Sequence, residues 1–496
     1  MTTTKAKKTS ERIHKMSSKP SQNPNALRNI CILFASLQLI ATIALISALA
    51  KINLLQTWQL VIVVTLLGAA QIFTATKALS KRASNSAKIV AMIVAAIIGG
   101  ACFFGQHYAR KTINFVQTIT GVHYETQTYS VMVLKTSGYN EIAQLRNQSV
   151  GFLTTNPNLA DTKTNLKNVI NHHAVDFNDL GSLVSSIYAF ETSAIVLNDN
   201  YLDFIEESDS EFLQDSKVIY TFEVRKEAED APTAVDVKTE PFAIYLSGSD
   251  SRGTLSQTAR SDVNMLIVVR PKDAKILLVN IPRDYYVQLH GTTGTKDKLT
   301  HAGVYGIEKS KTTVEDLLGV PINYTVKVGF NTVINVVDAL GGIDIFSDKE
   351  FTAHTNKTCH FTYGTQHVDS TCALAFSRER YTYATGDRHR GENQQAVITA
   401  IINKISNPKY ILKYTDILNA AQGSFETNLT YTEITDFAKQ QLSSFKKWQV
   451  ESIALDGTGA MMPTYSMGSR KLYVMIPDQT TVTAAQAKIR EYLAAE

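Results

Sequence analysis

Charged side chains in the second half of the chain gather where three apolar runs begin or end. Asp250 follows the first run, Asp262 directly precedes the second, and Arg283 comes two residues after the third. The runs are Ala243–Leu246, Val263–Val269 and Lys275–Ile281. Ligands in layered α/β proteins bind at strand ends. The placement therefore makes these side chains candidates for one binding site.

A second group of charged residues lies about a hundred positions downstream. If residues 378–380 are extended, Arg378 and Arg380 point to the same side, because side chains alternate along a strand. If a helix begins near Arg390, Gln394 lies one turn further on the same face. Asp387 belongs to the same segment.

The residue types of the two groups suit one ligand. Guanidinium groups bind phosphate oxygens bidentately and stay charged. A pair of carboxylates holds a hard divalent cation such as Mg²⁺, which phosphate oxygens then share. The set therefore predicts a pyrophosphate bound together with Mg²⁺. The alternative is that the arginines pair with surface carboxylates.

The elements that must position these residues form an α/β pattern. The three runs are rich in β-branched residues and continuously apolar, as expected for strands buried on both faces. Helical spacing follows at Thr313–Leu318, Phe330–Leu340 and Asn393–Ile405. This alternation predicts an α/β/α layered domain with a mixed central sheet. The chain lacks the sequence motifs of P-loop nucleotide-binding proteins, serine hydrolases and zinc proteases, so those classes have no support.

The preceding region predicts a smaller α/β unit. Strand-like runs at Ser130–Leu134, Ser149–Leu153 and Ser193–Leu197 alternate with segments of helical spacing. Residues 112–240 carry a net charge of −11, which argues against nucleic-acid binding. His172 and His173 have no Cys or Glu at ligand spacing, and we interpret them as loop residues.

Three apolar runs near the N-terminus predict membrane spans. They are approximately Ile30–Ala50, Trp58–Thr76 and Ile89–Tyr108, each close to the ~20 residues needed to cross the hydrocarbon core. Seven basic residues precede the first run, only Lys51 lies in the first loop, and four basic residues lie in or beside the second. Positive residues favour the cytoplasmic side. We therefore expect a cytoplasmic N-terminus, a plasma-membrane anchor and an extracellular soluble part, although Arg110 and Lys111 fall on the unfavoured side.

The predicted organisation has five parts. They are a cytoplasmic basic tail (1–29), three transmembrane helices (30–108), an accessory α/β domain (112–225), the layered domain (226–410) and a C-terminal extension that packs on it (411–496). The formal charge of +4 is the sum of +13 in residues 1–111, −11 in 112–240 and +2 in 241–496. The basic excess is thus a topology signal and does not indicate a nucleic-acid partner.

The cysteines agree with this topology. Cys31 and Cys102 lie in apolar spans and are expected to be inert. Cys359 and Cys372 lie 13 positions apart in the outer part, where an oxidising environment favours a disulfide. Two free thiols are the alternative.

Residues 248–395 resemble the LytR–CpsA–Psr family. The matching strings are GSDSR, RSDVNMLIVV, KILLVNIPRD, DKLTHAGVYG, VEDLLGVPINYTVKV, NVVDALGGIDI, LAFSRER and GDRHRGENQQAVI. Three spans followed by an accessory domain further resemble the streptococcal capsule-associated CpsA branch.

The resemblance implies a cell-envelope phosphotransferase. Such an enzyme moves capsular polysaccharide or a related glycopolymer from a polyprenyl-pyrophosphate carrier onto peptidoglycan and releases polyprenyl phosphate, with pyrophosphatase as a side activity. Partners would be the lipid-linked glycan, peptidoglycan, the membrane and the capsule-synthesis machinery. The alternatives are a non-catalytic polyprenyl-phosphate sensor that regulates capsule synthesis and a wall teichoic acid ligase.

The resemblance also implies roles for individual residues. Asp250 and Asp262 would bind Mg²⁺, or Mn²⁺ in its place. The catalytic residues would be Arg283, Asp387 and Arg390, with Asp387 either orienting Arg390 or acting as base. The remaining pyrophosphate ligands would be Arg378, Arg380, Gln394 and Arg260, and the lipid would lie against Val326, Val328 and Phe330, with Val333 and Ile334 as neighbours. Arg252, Lys298 and His301 also stand at motif positions, and His301 is expected to be a hydrogen-bonded structural residue or, alternatively, a proton carrier.

Overall fold

The chain is described here from a computed structural model. It covers residues 26–120, 124–208, 210–227, 232–249, 258–407, 409–410, 417, 420, 424–444 and 446–494. Asp250 and Arg252, and most of the predicted basic tail, lie outside the described residues. Residues 26–51 and 55–110 form one compact unit, and residues 52–54 together with the described residues from 111 onward form a second.

The N-terminal region contains three long apolar helices: α1 (Ala26–Ile52), α2 (Thr57–Leu79) and α3 (Asn85–Ile119). All three are long and apolar enough to cross a membrane. Each contains one of the predicted spans. The third helix has 35 residues and continues to Ile119, beyond the predicted end of the span at Tyr108. At ~1.5 Å per residue it exceeds the ~30 Å hydrocarbon core by several turns.

The accessory domain is a five-stranded sheet with helices on both faces. Its elements are β1 (Tyr124–Leu134), β2 (Ser149–Leu153), α4 (Leu159–Val169), β3 (His173–Phe177), α5 (Leu180–Tyr188), β4 (Ala194–Asn198), α6 (Leu202–Ser208), α7 (Ser210–Asp215) and β5 (Ser216–Glu227). The strand order is β3-β2-β4-β1-β5. Met132 and Leu134 pack into one core while Val131 and Val133 pack into another, because alternate strand residues face opposite sides. The predicted α/β accessory unit is thus confirmed.

The layered domain is built on a six-stranded mixed sheet of order β16-β11-β6-β7-β8-β17. Its elements are β6 (Phe242–Ser249), β7 (Val263–Arg270), β8 (Lys275–Ile281), β9 (Tyr286–Val287), β10 (Asp297–Lys298), α8 (Leu299–Ala302), α9 (Ile307–Leu318), β11 (Tyr324–Gly329), α10 (Phe330–Leu340), β12 (Ile343–Ser347), β13 (Phe351–Thr352), β14 (His360–Phe361), β15 (Gly364–Val368), α11 (Ser370–Arg378), α12 (Asp387–Ile405), β16 (Phe425–Thr427), α13 (Tyr431–Ser444), β17 (Gln449–Ala454), β18 (Gly457–Thr464), β19 (Gly468–Pro477) and α14 (Gln479–Leu493). The strands β6, β7 and β8 are antiparallel neighbours, whereas β11 runs parallel to β6 and β17 parallel to β8. The C-terminal segment, predicted to pack on this domain, supplies both edge strands of its sheet.

Helices cover both faces of this sheet. On one face Tyr245, Leu266 and Val279 pack with α9 and α14. On the other face Met265 and Leu278 pack with α12 and α13. The α/β/α layering predicted from the apolar runs is confirmed.

A small subdomain beside α12 contains the disulfide. The strands β12 and β15 pair antiparallel, and their inner residues share a core with α10, α11 and α12. Cys359 and Cys372 are bonded with their Cα atoms 5.3 Å apart, as the hypothesis of an oxidised pair predicted. Cys31 and Cys102 are buried and reduced.

Candidate active site

The antiparallel pairing of β7 and β8 brings the two strand-end residues together. Asn264 pairs with Ile281, so the residue before β7 and the residues after β8 meet at one end of the sheet. Arg283 Nη1 lies 2.6 Å from Asp262 Oδ1. Arg283 Nε is buried and makes no hydrogen bond to any described residue. It lies 3.8 Å from a carboxylate oxygen of Asp284 and 3.8 Å from one of Asp387.

The first turn of α12 completes the cluster. Arg390 Nη2 lies 2.6 Å from Asp387 Oδ1, at the i,i+3 spacing of neighbours on a helix. Asp387 Oδ1 is also 3.8 Å from Arg283 Nε. The helix begins directly after Gly386, whose φ of 52° is in the left-handed region that favours glycine. Two arginines and two aspartates from distant segments thus form one cluster, which we call the charged cluster: Asp262, Arg283, Asp387 and Arg390.

Burial controls the electrostatics of this cluster. It raises the pKa of Asp387 despite the opposing charges of Arg390 and Arg283. Burial also lowers the pKa of Arg390, and Asp387 compensates for only part of that effect. For Arg283 burial acts in the same direction, but three carboxylates including Asp262 outweigh it and raise the pKa. A buried carboxyl with a raised pKa beside two guanidinium groups suits a proton acceptor next to an anion.

Arg378 and Arg380 flank a buried carboxylate. Arg378 is the last residue of α11 and Arg380 follows the extended Glu379, so the segment is only partly extended, in contrast to the prediction. The Glu379 carboxylate accepts hydrogen bonds from the backbone N–H groups of His354 and Tyr381 at 2.7 and 2.8 Å. These bonds, with one from Thr382, outweigh burial and lower the pKa of Glu379. Glu379, missed in the sequence, therefore fixes the bend between the two arginines.

The two arginines face different neighbours. The Arg378 guanidinium lies 4.4 Å from the centre of the Phe330 ring, which opens α10. Arg380 donates to the Tyr381 hydroxyl at 2.8 Å, and its charge acts on both Asp387 and Arg390. Arg380 is therefore close to the charged cluster.

The model of the LytR_cpsA_psr family matches residues 212–490, which is more than half of the chain. The chain belongs to the LytR–CpsA–Psr family.

Curated relatives carry transferase names. The polyisoprenyl-teichoic acid–peptidoglycan teichoic acid transferase TagU of Bacillus mycoides (strain KBAB4) is 37% identical over 235 residues, which cover 47% of this chain and 75% of that protein. TagV of Bacillus subtilis (strain 168), with the same transferase name, is 31% identical over 266 residues, covering 52% of this chain and 66% of TagV. The crystal structure of B. subtilis TagV aligns with 52% of this chain and 98% of its own at 29% identity, with a TM-score of 0.44.

The LytR–CpsA–Psr match includes the C-terminal strands, and these contribute residues that the sequence motifs did not indicate. Asp456 follows β17, and its Oδ2 lies 2.5 Å from Nη1 of Arg388. Tyr473 on β19 is half exposed, and burial, together with the charges of Asp284 and Asp387, raises the pKa of its hydroxyl. Asp456 and Tyr473 come close to the first turn of α12 only because strands that are distant in sequence pair with each other. No sequence motif around either residue therefore identifies it.

Two further motif residues of the LytR–CpsA–Psr domain, Lys298 and His301, are buried and contact carboxylates. Lys298 Nζ lies 3.3 Å from Asp284 Oδ1. His301 is fully buried, with Nδ1 2.6 Å from Asp297 Oδ1 and its ring 4.0 Å from that of Phe204. The predicted hydrogen bond of His301 is present, and the choice between a structural role and that of a proton carrier stays a prediction.

The remaining predicted ligands lie on elements that border the cluster. Gln394 is one turn after Arg390 on α12 and is partly exposed. Arg260 lies in the loop before β7. Val326 and Val328 are partly buried on β11, beside the residues of β6 that lead to Asp250.

Asp262 is the described member of the predicted Mg²⁺-binding pair. The described residues contain no group of three or more His, Cys, Asp or Glu side chains placed to hold a metal. Asp262 supplies one carboxylate at the cluster, with its side chain 10% exposed. Mg²⁺ commonly binds one or two carboxylates plus substrate phosphates. Of the predicted Mg²⁺-binding pair, only Asp262 lies among the described residues, and its carboxylate is paired with Arg283.

Proposed function

We propose that the protein is a Mg²⁺-dependent phosphotransferase of the cell envelope. It transfers a glycopolymer, capsular polysaccharide or a related glycan, from a polyprenyl-pyrophosphate carrier onto peptidoglycan. The charged cluster carries this proposal, because its two arginines and its buried carboxylate suit a pyrophosphate and a reacting hydroxyl. The names of the curated relatives, which describe transfer to peptidoglycan, support the same reaction class.

The proposed reaction is a displacement at the sugar-linked phosphorus. The oxygen of an acceptor hydroxyl forms a bond to this phosphorus, the bond to the bridging oxygen breaks, and polyprenyl phosphate leaves with the bonding electrons. The hydroxyl proton passes to Asp387, whose raised pKa suits the task. Arg283 and Arg390 bind the oxygens on which negative charge develops. Mg²⁺, held by Asp262 and Asp250, would neutralise further charge on the pyrophosphate.

The lipid chain of the donor would extend toward α10. Phe330 begins this helix, and the Arg378 guanidinium packs on its ring. Arg378, a proposed pyrophosphate ligand, would thus lie between the apolar surface and the pyrophosphate. Val326 and Val328 continue that surface on β11. The three N-terminal helices would hold the domain at the outer leaflet, where the carrier lipid is available.

A second candidate function differs only in the polymer that is transferred. The relatives are named as teichoic acid transferases, which favours a wall teichoic acid ligase. The resemblance of the three spans and accessory domain to the capsule-associated branch favours capsular polysaccharide. The two are distinguished by presenting lipid-linked forms of both polymers to the same preparation.

The test uses the full-length protein in detergent with a labelled lipid-linked glycan, isolated peptidoglycan and Mg²⁺. Loss of one charged ligand of the transferring group costs about 10²–10³-fold in rate, so we expect losses of that order for Arg283→Ala and Asp262→Asn. Chelation of the metal should have a similar effect. Arg270→Ala is the matched control, since Arg270 forms an ion pair with Asp273 at the far end of β7.

Three outcomes would count against the proposal. Tight lipid binding without release of polyprenyl phosphate would favour the sensor and regulator of capsule synthesis. Hydrolysis without transfer would leave only a pyrophosphatase. Unchanged transfer in Arg283→Ala would remove the charged cluster from the mechanism.

A further inference from the structure

The β18–β19 hairpin lies beside the segment that carries Arg283. The Met475 backbone N–H group donates to the Asp284 carbonyl oxygen at 2.7 Å, and Met475 forms a parallel bridge with Tyr285. The Tyr285 hydroxyl in turn donates to the Asp456 carbonyl oxygen at 2.5 Å. These bonds fix the open end of the hairpin, where β18 begins and β19 ends, next to the charged cluster.

The turn of the hairpin is held at the opposite end. The Ser466 backbone N–H group donates to Asp297 Oδ2 at 2.9 Å, and the Leu180 N–H group donates to the Ser466 carbonyl oxygen at 3.4 Å. Met467 packs into a core of the accessory domain together with Leu180 and Phe204. Because the hairpin is anchored at both ends, we expect a small substitution on its exposed side to leave its backbone in place.

In the middle of the hairpin the Tyr473 ring lies over a glycine. Tyr473 pairs with Met461, and Gly459 is two positions before Met461, on the same side of β18. A Cβ atom on Gly459 would lie 2.8 Å from Cε2 of the Tyr473 ring and 2.9 Å from its hydroxyl oxygen. The missing side chain thus gives room to the ring. It also lets the hydroxyl reach toward the open end of the hairpin, where Asp456 binds Arg388 of α12.

The charges around the Tyr473 hydroxyl suit a neutral partner. Burial and, after it, the carboxylates of Asp284 and Asp387 raise the pKa of this hydroxyl, so it stays protonated and both donates and accepts hydrogen bonds. Tyr473 is 48% exposed, and no described residue forms a hydrogen bond with its hydroxyl. A phosphate oxygen beside the two carboxylates would be repelled, whereas a sugar hydroxyl would not. The uncharged acceptor therefore fits this side of the charged cluster better than the pyrophosphate does.

We infer that the Tyr473 hydroxyl donates a hydrogen bond to the acceptor sugar, next to the hydroxyl whose proton Asp387 accepts, and that Gly459 positions the Tyr473 ring for this contact. Tyr473 is thus a residue that binds substrate, and Gly459 is a positioning residue that acts through it. The inference rests on the proposed function and specifies how its acceptor is bound.

Tyr473→Phe removes the hydroxyl and keeps the ring. Loss of one neutral hydrogen bond should raise the acceptor KM about 2- to 10-fold, while the donor KM stays at the wild-type value. The assay uses the full-length protein, and the concentrations of soluble peptidoglycan fragments and of lipid-linked glycan are varied in turn. Tyr188→Phe is the matched control, because the Tyr188 hydroxyl bonds Asp215 at 3.1 Å within the accessory domain. It should change neither KM.

Gly459→Ala tests the positioning role. The atoms that a new methyl group would meet belong to the end of the flexible Tyr473 side chain, so the ring moves while the anchored backbone stays. The acceptor KM should therefore rise by the same order as in Tyr473→Phe. In a Tyr473→Ala background Gly459→Ala should cost nothing further, because no ring is left to displace. Thr458→Ala, at the exposed neighbouring position on the other side of β18, is the control.

Three results would overturn the inference. An unchanged acceptor KM in Tyr473→Phe would exclude the hydrogen bond. A rise in the donor KM alone would assign the hydroxyl to the donor. An equal cost of Gly459→Ala with and without the Tyr473 ring would show that this substitution acts on the hairpin itself.

A separate binding measurement distinguishes failure of the inference from failure of the proposed function. The same peptidoglycan fragments are titrated by calorimetry into wild-type protein and Tyr473→Phe without donor. If no polymer is ever transferred but Tyr473→Phe binds the fragments about 2- to 10-fold more weakly, the proposed function fails and the acceptor contact stands. Equal binding by the two proteins would overturn the contact.

Discussion

At the scale of single residues, Asp387 has two candidate roles: it accepts the proton of the acceptor hydroxyl, or it only orients Arg390. Its raised pKa is caused by burial, and the nearby guanidinium groups only reduce the effect. The proton acceptor must be deprotonated, so kcat/KM should fall as pH decreases through this raised pKa. We therefore expect an acid limb above the pH at which an ordinary aspartate titrates. A pH profile of transfer at low donor concentration measures it.

Asp387→Asn is the variant that tests this assignment. Loss of a general base lowers the rate by about 10²–10⁴-fold, and the acid limb should disappear with it. Donor binding should change little, because Arg283 and Arg390 remain. A variant that keeps the limb but binds donor weakly would show that Asp387 only orients Arg390. Asp316→Asn, at an exposed carboxylate paired with His290, is the control.

At the scale of elements, the position of α12 depends on a close approach to β8. A Cβ atom on Gly391 would lie 2.0 Å from Nδ2 of the buried Asn280. Gly391→Ala should therefore push the helix away from the sheet and move Asp387 and Arg390, although alanine favours a helix by about 1 kcal/mol. A misplacement of ~1 Å can cost about 10²-fold in rate. We expect a loss of that size in the transfer assay.

Removal of the obstacle should reverse this loss. In Gly391→Ala/Asn280→Ala the new methyl group has room, so most of the activity should return. Gly68→Ala serves as control, because a Cβ atom there meets nothing within 4 Å. If the double variant stays as inactive as the single one, a clash between α12 and β8 is not the cause.

The strands of the layered domain differ in whether the sequence predicts them. The strands β6, β7 and β8 were predicted because both faces are buried and their residues are continuously apolar. The edge strand β17 was missed, since Glu451 and Ser452 interrupt its apolar pattern and one side of an edge strand faces solvent. Asp456 was missed with it, because only the parallel pairing of β17 with β8 brings that carboxylate to α12.

At the scale of the whole molecule, the accessory and layered domains were predicted as separate units but share partly buried polar contacts. The Glu125 carboxylate on β1 accepts a hydrogen bond from the Ile307 N–H group at 2.9 Å. The hydroxyls of Tyr201 and Tyr305 lie 3.3 Å apart, and burial raises the pKa of both. Such pairings depend on residues far apart in sequence, so composition and spacing do not indicate them.

The charge distribution along the chain predicts how the three helices cross the membrane. The loop between α1 and α2 is poor in basic residues, whereas the loop between α2 and α3 contains Lys81 and Arg82. Because basic loops remain cytoplasmic, Gln56→Cys should face outward and Ser84→Cys inward. In a background with Cys31 and Cys102 replaced by alanine, an impermeant maleimide should label Gln56→Cys in intact cells.

Ser84→Cys should become reactive only after the membrane is permeabilised, which is the internal control for access. Arg110 and Lys111 follow the third span on the unfavoured side, yet they lie in the part of α3 that extends beyond the length a bilayer requires. The effect of these two basic residues on the orientation of the helices is smaller than that of the four basic residues in or beside the second loop. Labelling of Ser84→Cys in intact cells would show the opposite topology. The charged cluster would then lie in the cytoplasm, separated from peptidoglycan, and the proposed reaction would be excluded.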